Sequence, residues 1–311
     1  MNTQNLTGDC LDVMRQMPDK SVDLVFCSPP YEDARTYGIG FKLKGQEWVD
    51  WCIPRFMECL RVSRGLVAWV VEGKTRQFAW SATPALLMAD LHRQGVKLRK
   101  PPAFCRVGIP GSGGPDWLRN DYEFIVCAAS GKLPWSDNVA MGHTPKYDAG
   151  GDPSNRTASG DRVNKFGSMS SRGADGRRKM AGGRSAKVAE AMLNGLPAGA
   201  KFHTKNNGSE MRVQVYIPPE KANPGNLIRC QVGGGLLGSS LAHENEAPFP
   251  EKLAEFFVRS FCPPGGTVLD CFGGSGTTAA VAVRHGRNAL SIDVRESQTE
   301  LTGRRLLEVA A

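Results

Sequence analysis

Thr267-Val-Leu-Asp-Cys-Phe-Gly-Gly-Ser-Gly-Thr-Thr278 decides the fold of this 311-residue chain. A short apolar run ends in Asp270, a glycine-rich turn follows, and a helical pattern of small residues begins at Thr277. That order reads as strand, tight turn and helix start, where unpaired backbone N–H groups meet an anionic or polar cofactor. Ala289 to Ile292 forms a second strand with Asp293 at its end, and Gln298 to Glu308 a closing helix. Gly274-x-Gly276-x-x-Ala279, with Asp293 beyond it, also satisfies the loose dinucleotide fingerprint, so this fragment alone admits a nicotinamide enzyme. Too little chain follows Asp293 to complete a doubly wound sheet, and the missing strands must come from the N-terminal part.

That part supplies them. Asn5 to Gly8, Val22 to Cys27, Leu66 to Val71 and Phe124 to Ala128 read as buried strands, while Trp48 to Arg61, Thr83 to Gln94 and Pro250 to Phe261 have helical spacing and length. Alternation of this kind specifies an α/β fold with a mostly parallel sheet covered by helices. Ser28-Pro29-Pro30-Tyr31 closes the second strand. Two prolines make it a rigid platform without N–H donors, and Tyr31 offers a flat face.

Net charge is +8, and 13 Lys and Arg against 6 Asp and Glu fall between Lys146 and Arg212, which puts a surplus of 7 in one stretch. This segment is rich in Gly, Ser and Asn. A basic insert suits a polyanion partner, with counterion release giving sequence-independent affinity; a solvated loop is the plainer reading. No apolar run of 18 residues occurs and the N-terminal sequence has no signal-peptide pattern, so a cytoplasmic protein with no membrane contact is expected. The nine cysteines include no Cys-x-x-Cys pair and read as buried thiols of a reducing compartment, with no metal site expected. Trp48, Trp51, Trp69 and Trp80 lie in helix or strand patterns and read as core residues.

With its two signatures in this order, the chain resembles the DNA amino-methyltransferases that use S-adenosylmethionine, in particular the permuted (beta-type) group whose catalytic half precedes its cofactor half. The resemblance covers about residues 5 to 130 and 243 to 308. It implies a permuted seven-stranded Rossmann-like sheet with an inserted basic target-recognition region. Residues 1–130 would form the catalytic half, 131–242 the insert and 243–311 the cofactor half. Asp270 and the loop Phe272, Gly273, Gly274, Ser275, Gly276 and Thr277 would hold the methionine part of the cofactor, and Asp293 the ribose hydroxyls. Asp9 and Cys10 would lie near the adenine, with Phe249 and Pro250 lining the pocket. The pattern is similar to methyltransferases of bacterial viruses and prophages.

The chemistry fits the residues. A base's exocyclic amine is a poor nucleophile because its lone pair is delocalised, so the enzyme must favour a pyramidal nitrogen in line with the methyl, by positioning and by acceptors for the amine hydrogens. Ser28 Oγ and the Pro29 carbonyl are two such acceptors, Pro30 stiffens the platform, and Tyr31 can stack on a flipped base. Methylation at the cytosine ring carbon needs a thiolate, usually in a Pro-Cys dipeptide, and none occurs. The resemblance favours N4 of cytosine, because serine is commoner than aspartate at the first tetrapeptide position in those enzymes; N6 of adenine stays open. Arg35, Lys42 and Lys44, in the loop from Glu32 to Gly45, would close over the base. Arg172, Arg177, Arg178, Lys179 and Arg184 would meet phosphates of double-stranded DNA, and Trp135 is a further DNA contact. An RNA substrate, or a DNA-binding protein without catalysis, is the alternative: Cys271 stands where the family often has proline and Gly274 where alanine or serine is common. A homodimer and a separately encoded restriction nuclease are both compatible with the chain.

Overall fold

Period-2 alternation along the central strands separates two apolar faces. The computed structural model describes residues 2–33, 40–108, 116–144, 201–206, 211–216, 220–232, 237–245 and 247–310, and of 201–206, 211–216 and 310 the backbone alone. In chain order the strands begin with Thr3–Thr7 (β1), Val22–Cys27 (β2), Ser63–Val71 (β3) and the short pair Thr75–Arg76 (β4) and Ala79–Trp80 (β5). Ala103–Val107 (β6), Tyr122–Ala128 (β7), Lys201–Asn206 (β8), Met211–Tyr216 (β9) and Leu227–Gln231 (β10) follow, then Thr267–Asp270 (β11) and Asn288–Asp293 (β12). The α-helices are Cys10–Arg15 (α1), Gly45–Val62 (α2), Thr83–Arg93 (α3), Glu251–Phe261 (α4), Thr277–Arg284 (α5) and Glu296–Ala310 (α6).

The larger of two compact units comprises residues 1–142 and 223–311. Its sheet runs β1-β12-β11-β2-β3-β7-β6-β10. β1, β12, β11, β2 and β3 are mutually parallel, β7 is antiparallel to both its neighbours, and β10 lies parallel to β6. The last two strands of the chain therefore sit between its first two, as a permuted sheet requires. Val25, Cys27, Val67, Trp69 and Val71 pack under α1, α2 and α3; Leu24, Phe26, Leu66, Ala68 and Val70 pack under α4 and α5. Phe26 stacks on Phe257 at 4.6 Å between ring centroids, and each such large side chain contributes about 1.5–3 kcal/mol by burial.

Two features, the strand number and Trp80, differ from the sequence reading. The sheet has eight strands, not seven: β10 pairs with β6 from Leu227↔Ala103 to Gln231↔Val107. The Leu-Ile-Arg-Cys-Gln pattern carries the signal, with Ile228 and Cys230 buried and their neighbours exposed, but it is short and lies beside a glycine-rich stretch. The second compact unit spans residues 143–222 and holds the β8–β9 hairpin. Trp48 and Trp69 are fully buried, whereas Trp80 is 41% exposed on its two-residue strand and is not a core residue. Among the described residues no helix is long and apolar enough to cross a membrane.

Candidate active site

β2 and β11 are parallel neighbours, registered at Leu24↔Val268 and Val25↔Leu269. One pairing step beyond the other brings the segments after Cys27 and after Asp270 out of the same edge of the sheet. Thr278, in the first turn of α5, donates through Oγ1 to the Phe26 carbonyl at 3.3 Å and ties the two together. Because β11 continues to β12 on one side and β2 to β3 on the other, this is the point where strand order reverses, the usual ligand crevice of an open α/β sheet.

The tetrapeptide leaves β2 here, and the Ser28 hydroxyl, the Pro30 carbonyl and the Tyr31 hydroxyl each have a partner. Ser28 Oγ donates to the Val70 carbonyl on β3 at 3.1 Å. Its one hydrogen is thereby used, and the hydroxyl faces any ligand as an acceptor. Pro29 is buried, and the Pro30 carbonyl accepts from the Trp48 indole at 2.8 Å. The Tyr31 hydroxyl donates to Glu123 Oε2 at 2.7 Å, and Arg106 pairs with the other Glu123 oxygen at 3.2 Å. Burial pushes the Glu123 carboxyl above its usual range, although Tyr31 and Arg106 oppose that. Glu32, almost fully buried, accepts from the Gly45 N–H at 2.9 Å and the Lys74 N–H at 3.0 Å, so it ties the residue after Tyr31 to the start of α2 and to the chain after β3. Burial would raise its carboxyl, but hydrogen bonds from Ser81, Gly45, Lys74 and Thr83 outweigh it and hold Glu32 below the ordinary range.

The glycine loop is shaped by its neighbours. A Cβ on Gly273 would sit 2.2 Å from Ser291 Oγ, and one on Gly276, at φ +72°, 2.8 Å from Thr302; neither position takes a side chain. The Gly274 N–H donates to Asp293 Oδ2 at 2.9 Å and its carbonyl accepts from Thr302 at 3.2 Å. Gly276 leads into α5 without a side-chain cap, which leaves the first helical N–H groups open for a ligand. Asp270 is 2% exposed; burial, reinforced by Asp293 nearby, pushes its carboxyl up to about 7 against the opposing Thr278 hydroxyl and Phe272 N–H.

The remaining cofactor candidates surround this loop. Asp293 Oδ1 accepts from the Arg295 N–H at 2.9 Å, and its main-chain carbonyl accepts from Gly8 N–H at 2.9 Å, which joins the end of β12 to the end of β1. Asp9 caps α1 by accepting from Leu11 at 2.8 Å and pairs with Arg55 at 2.7 Å, so both its oxygens already have a protein partner. The Arg55 guanidinium lies 4.0 Å over the Trp51 ring. Cys10 is buried in α1. Phe272 packs against Trp51 and Trp69, Phe249 meets Phe26 edge-on at 5.4 Å, and Pro250 is buried at the start of α4. Among the described residues, Asn245 Oδ1 and Ser291 Oγ are buried without a hydrogen-bond partner. Both border the glycine loop, as the contacts of Gly273 and Gly274 show. A ligand with donor groups suits those orphaned acceptors, and a cationic methionine end suits Asp270 and Asp293; these residues fit S-adenosylmethionine.

Lys42 and Lys44 are exposed, while Phe41 and Leu43, which alternate with them, pack on the core. Trp135 is half-buried. Arg35, Arg172, Arg177, Arg178, Lys179 and Arg184 lie outside the described residues.

A model of the N6/N4-type DNA methylase family matches residues 22–304. The chain belongs to the DNA methylase family. Its members transfer a methyl group from S-adenosylmethionine to an amino group of a DNA base. The chain is 31% identical over 115 residues to the Type II methyltransferase M.PvuII of Proteus hauseri, spanning 37% of this chain and 32% of that protein. It is 25% identical to the orphan methyltransferase M.BamHII of Bacillus amyloliquefaciens, over 93% of this chain and 89% of that one. It is also 23% identical to the DNA adenine methyltransferase YhdJ of Escherichia coli (strain K12), over 98% and 82%. The solved PvuII DNA methyltransferase (cytosine-N4-specific) shares the fold at a TM-score of 0.61 and 18% identity, covering 99% of this chain and 91% of that one.

Three residues of this methylase site escaped the sequence reading. Glu123 holds Tyr31, Asn245 borders Gly274, and Arg305 holds the glycine loop. Arg305, with no exposed surface, donates to Ser275 and Thr277 and pairs with Glu251 at 2.6 Å. Asn245 had a signal, since it stands in the His243-to-Leu253 segment that resembles the family's element ahead of the cofactor loop. Glu123 and Arg305 had none, because a charge on a strand or helix pattern reads as a solvated face.

Proposed function

We propose that this methylase transfers its methyl group to N4 of a cytosine flipped out of duplex DNA. Ser28 carries the reading. With its proton committed to Val70, its oxygen can only accept, which suits an amine hydrogen and not a carbonyl oxygen. A nitrogen whose hydrogens are held by Ser28 Oγ and the Pro29 carbonyl turns its lone pair toward the cofactor side, where the glycine loop lies one strand away. Bound S-adenosylmethionine supplies the methyl on a sulfonium. Tyr31, oriented by Glu123, stacks on the base. The amine proton becomes acidic only after transfer and leaves to solvent, so no strong base is required.

Similarity to a protein named as cytosine-N4-specific supports N4, as does serine at position 28. Similarity to a protein named as an adenine methyltransferase, over nearly the whole chain, supports N6 of adenine as a second reading, and adenine offers the same donor amine. We assign target recognition to the basic insert and the setting to protective methylation in a bacterial cytoplasm, for a virus or prophage. Labelled methyl transfer to duplex DNA and to structured RNA of equal length tests the substrate class. Transfer to DNA alone is expected; transfer to RNA alone would overturn it. DNA affinity should also fall steeply between low and physiological salt, and a flat response would remove the role of the insert.

A further inference from the structure

The β4–β5 hairpin follows β3 directly and turns in two residues, Gln77 and Phe78, with pairs Thr75↔Trp80 and Arg76↔Ala79. Both turn residues have left-handed backbone, at φ +47° and +63°. That is the turn which fits hairpin twist, and it is normally built from Asn-Gly or Asp-Gly. A bulky aromatic there is strained. Phe78 is also 79% exposed, so no packing within the described residues offsets the strain. Two unfavourable choices coincide at one tip.

The base of the hairpin is rigid, and it is fixed to the active site. Ser81 N–H donates to the Lys74 carbonyl at 3.0 Å and closes it, and Lys74 N–H donates to Glu32, the residue after Tyr31. The Lys74 ammonium donates to the Asp33 carbonyl at 2.6 Å, and Arg76 pairs with the Asp33 carboxylate. Trp80 donates to Glu72 at 3.0 Å and stacks on Phe124. From Lys74 to the tip the chain reaches about 10 Å at strand rise, enough to cross a DNA groove about 8 Å deep.

We propose that Phe78 is a wedge that enters the base stack of duplex DNA and fills the gap left by the flipped target base. This rests on the DNA-methylation reading above and adds the residue that makes flipping favourable. Extruding a base loses its stacking on both neighbours, a cost of a few kcal/mol. An apolar ring inserted between the flanking bases restores stacking on both faces, as apolar wedges do elsewhere in bent or opened duplexes. The strained turn keeps the ring pointing outward before DNA arrives, so little ordering is lost on binding.

The test compares Phe78→Ala with wild type on two versions of one duplex that the wild-type enzyme methylates, with the target base either paired or opposite an abasic site. Where flipping is already cheap, the wedge is not needed. Phe78→Ala should lose at least about tenfold in kcat/KM on the paired duplex, since stacking on an aromatic face is a large term, and stay close to wild type on the abasic one. Phe78→Trp should keep activity on both. 2-Aminopurine at the target position should show flipping fluorescence with wild type and Phe78→Trp, and not with Phe78→Ala. Equal activity of Phe78→Ala on the paired duplex, or an equal loss on both duplexes, would overturn the wedge while leaving DNA methylation intact. No methylation of any DNA by wild type would overturn both.

Discussion

The Sγ atoms of Cys27 and Cys271 lie 3.5 Å apart, although 244 residues separate them in the chain. One ends the strand that carries Ser28-Pro-Pro-Tyr31, and the other begins the loop of Gly273 to Gly276. Burial pushes both thiols well up, so each is a neutral packing group. Their contact joins the end of β2 to the end of β11.

Ser28 Oγ donates to the Val70 carbonyl and is left as an acceptor toward a ligand, so removing its oxygen should remove transfer without removing the cofactor. Ser28→Ala is expected to lower kcat by about 10²–10³, the usual effect of losing one positioned hydrogen-bonding group. Tyr31→Ala should behave alike. Calorimetry should find S-adenosylmethionine binding unchanged in both; full activity of Tyr31→Ala would end the base-stacking role.

Gly274 sits at φ +52° with Asn245 Nδ2 3.0 Å from where a Cβ would be. Valine is branched at that carbon and disfavours this backbone, a strain of about 1–3 kcal/mol. Gly274→Val should therefore bind S-adenosylmethionine at least about tenfold more weakly while the fold persists, which circular dichroism and calorimetry together would check.

Asp270 holds its proton up to about pH 7 in the folded protein, against an ordinary value of 3.8. The folded state thus binds more protons than the unfolded one between those values, and the contribution of Asp270 to stability falls as pH rises through the window. A cationic ligand favours the ionised carboxylate. Cofactor binding should tighten from about pH 6 to about pH 8, on either side of that raised value, and release a proton. Calorimetry in buffers of different ionisation enthalpy would measure this, and Asp270→Asn should abolish both effects.

Arg305 and Glu251 form a buried pair beneath the loop, with Arg284 as a second partner of Glu251. Removing Arg305 leaves the part-buried Glu251 with Arg284 as its remaining partner, so the cost should stay below the about 3–5 kcal/mol of a buried charge left wholly uncompensated. Arg305→Met should lower the melting temperature accordingly and loosen Ser275 and Thr277. Burial alone would raise the Glu251 carboxyl, but Arg284 and Arg305 outweigh it and lower it. The pair's stabilisation is therefore present above the ordinary carboxylate range and lost as pH falls through the depressed value.

How much of this was legible in the sequence depends on how far each signal reaches. The strands β2, β3, β11 and β12 follow from short apolar runs, and the helices α4 and α5 from helical spacing of Leu, Phe, Ala and Val, within a few residues. The strand ends carrying Ser28 and Asp270 were readable because glycine, proline and aspartate punctuate them. β6 and β10 were missed because five mixed residues hold too little period to stand out beside prolines and glycines. Ser28's role as a forced acceptor needed Val70, a neighbour in space and not in sequence. The pairing of Tyr31 with Glu123 was hidden for the same reason, and the core reading of Trp80 failed because a two-residue hairpin looks like a continuing strand.

The most direct test of a cytosine-N4 methylase built on Ser28 is the product itself. The protein would be incubated with S-adenosylmethionine and unmethylated duplex DNA, the DNA digested to nucleosides, and the methylated species identified by mass. N4-methylcytosine is predicted, absent with Ser28→Ala. N6-methyladenine would contradict the base assignment, and no methylated nucleoside on diverse DNA would contradict the account as a whole.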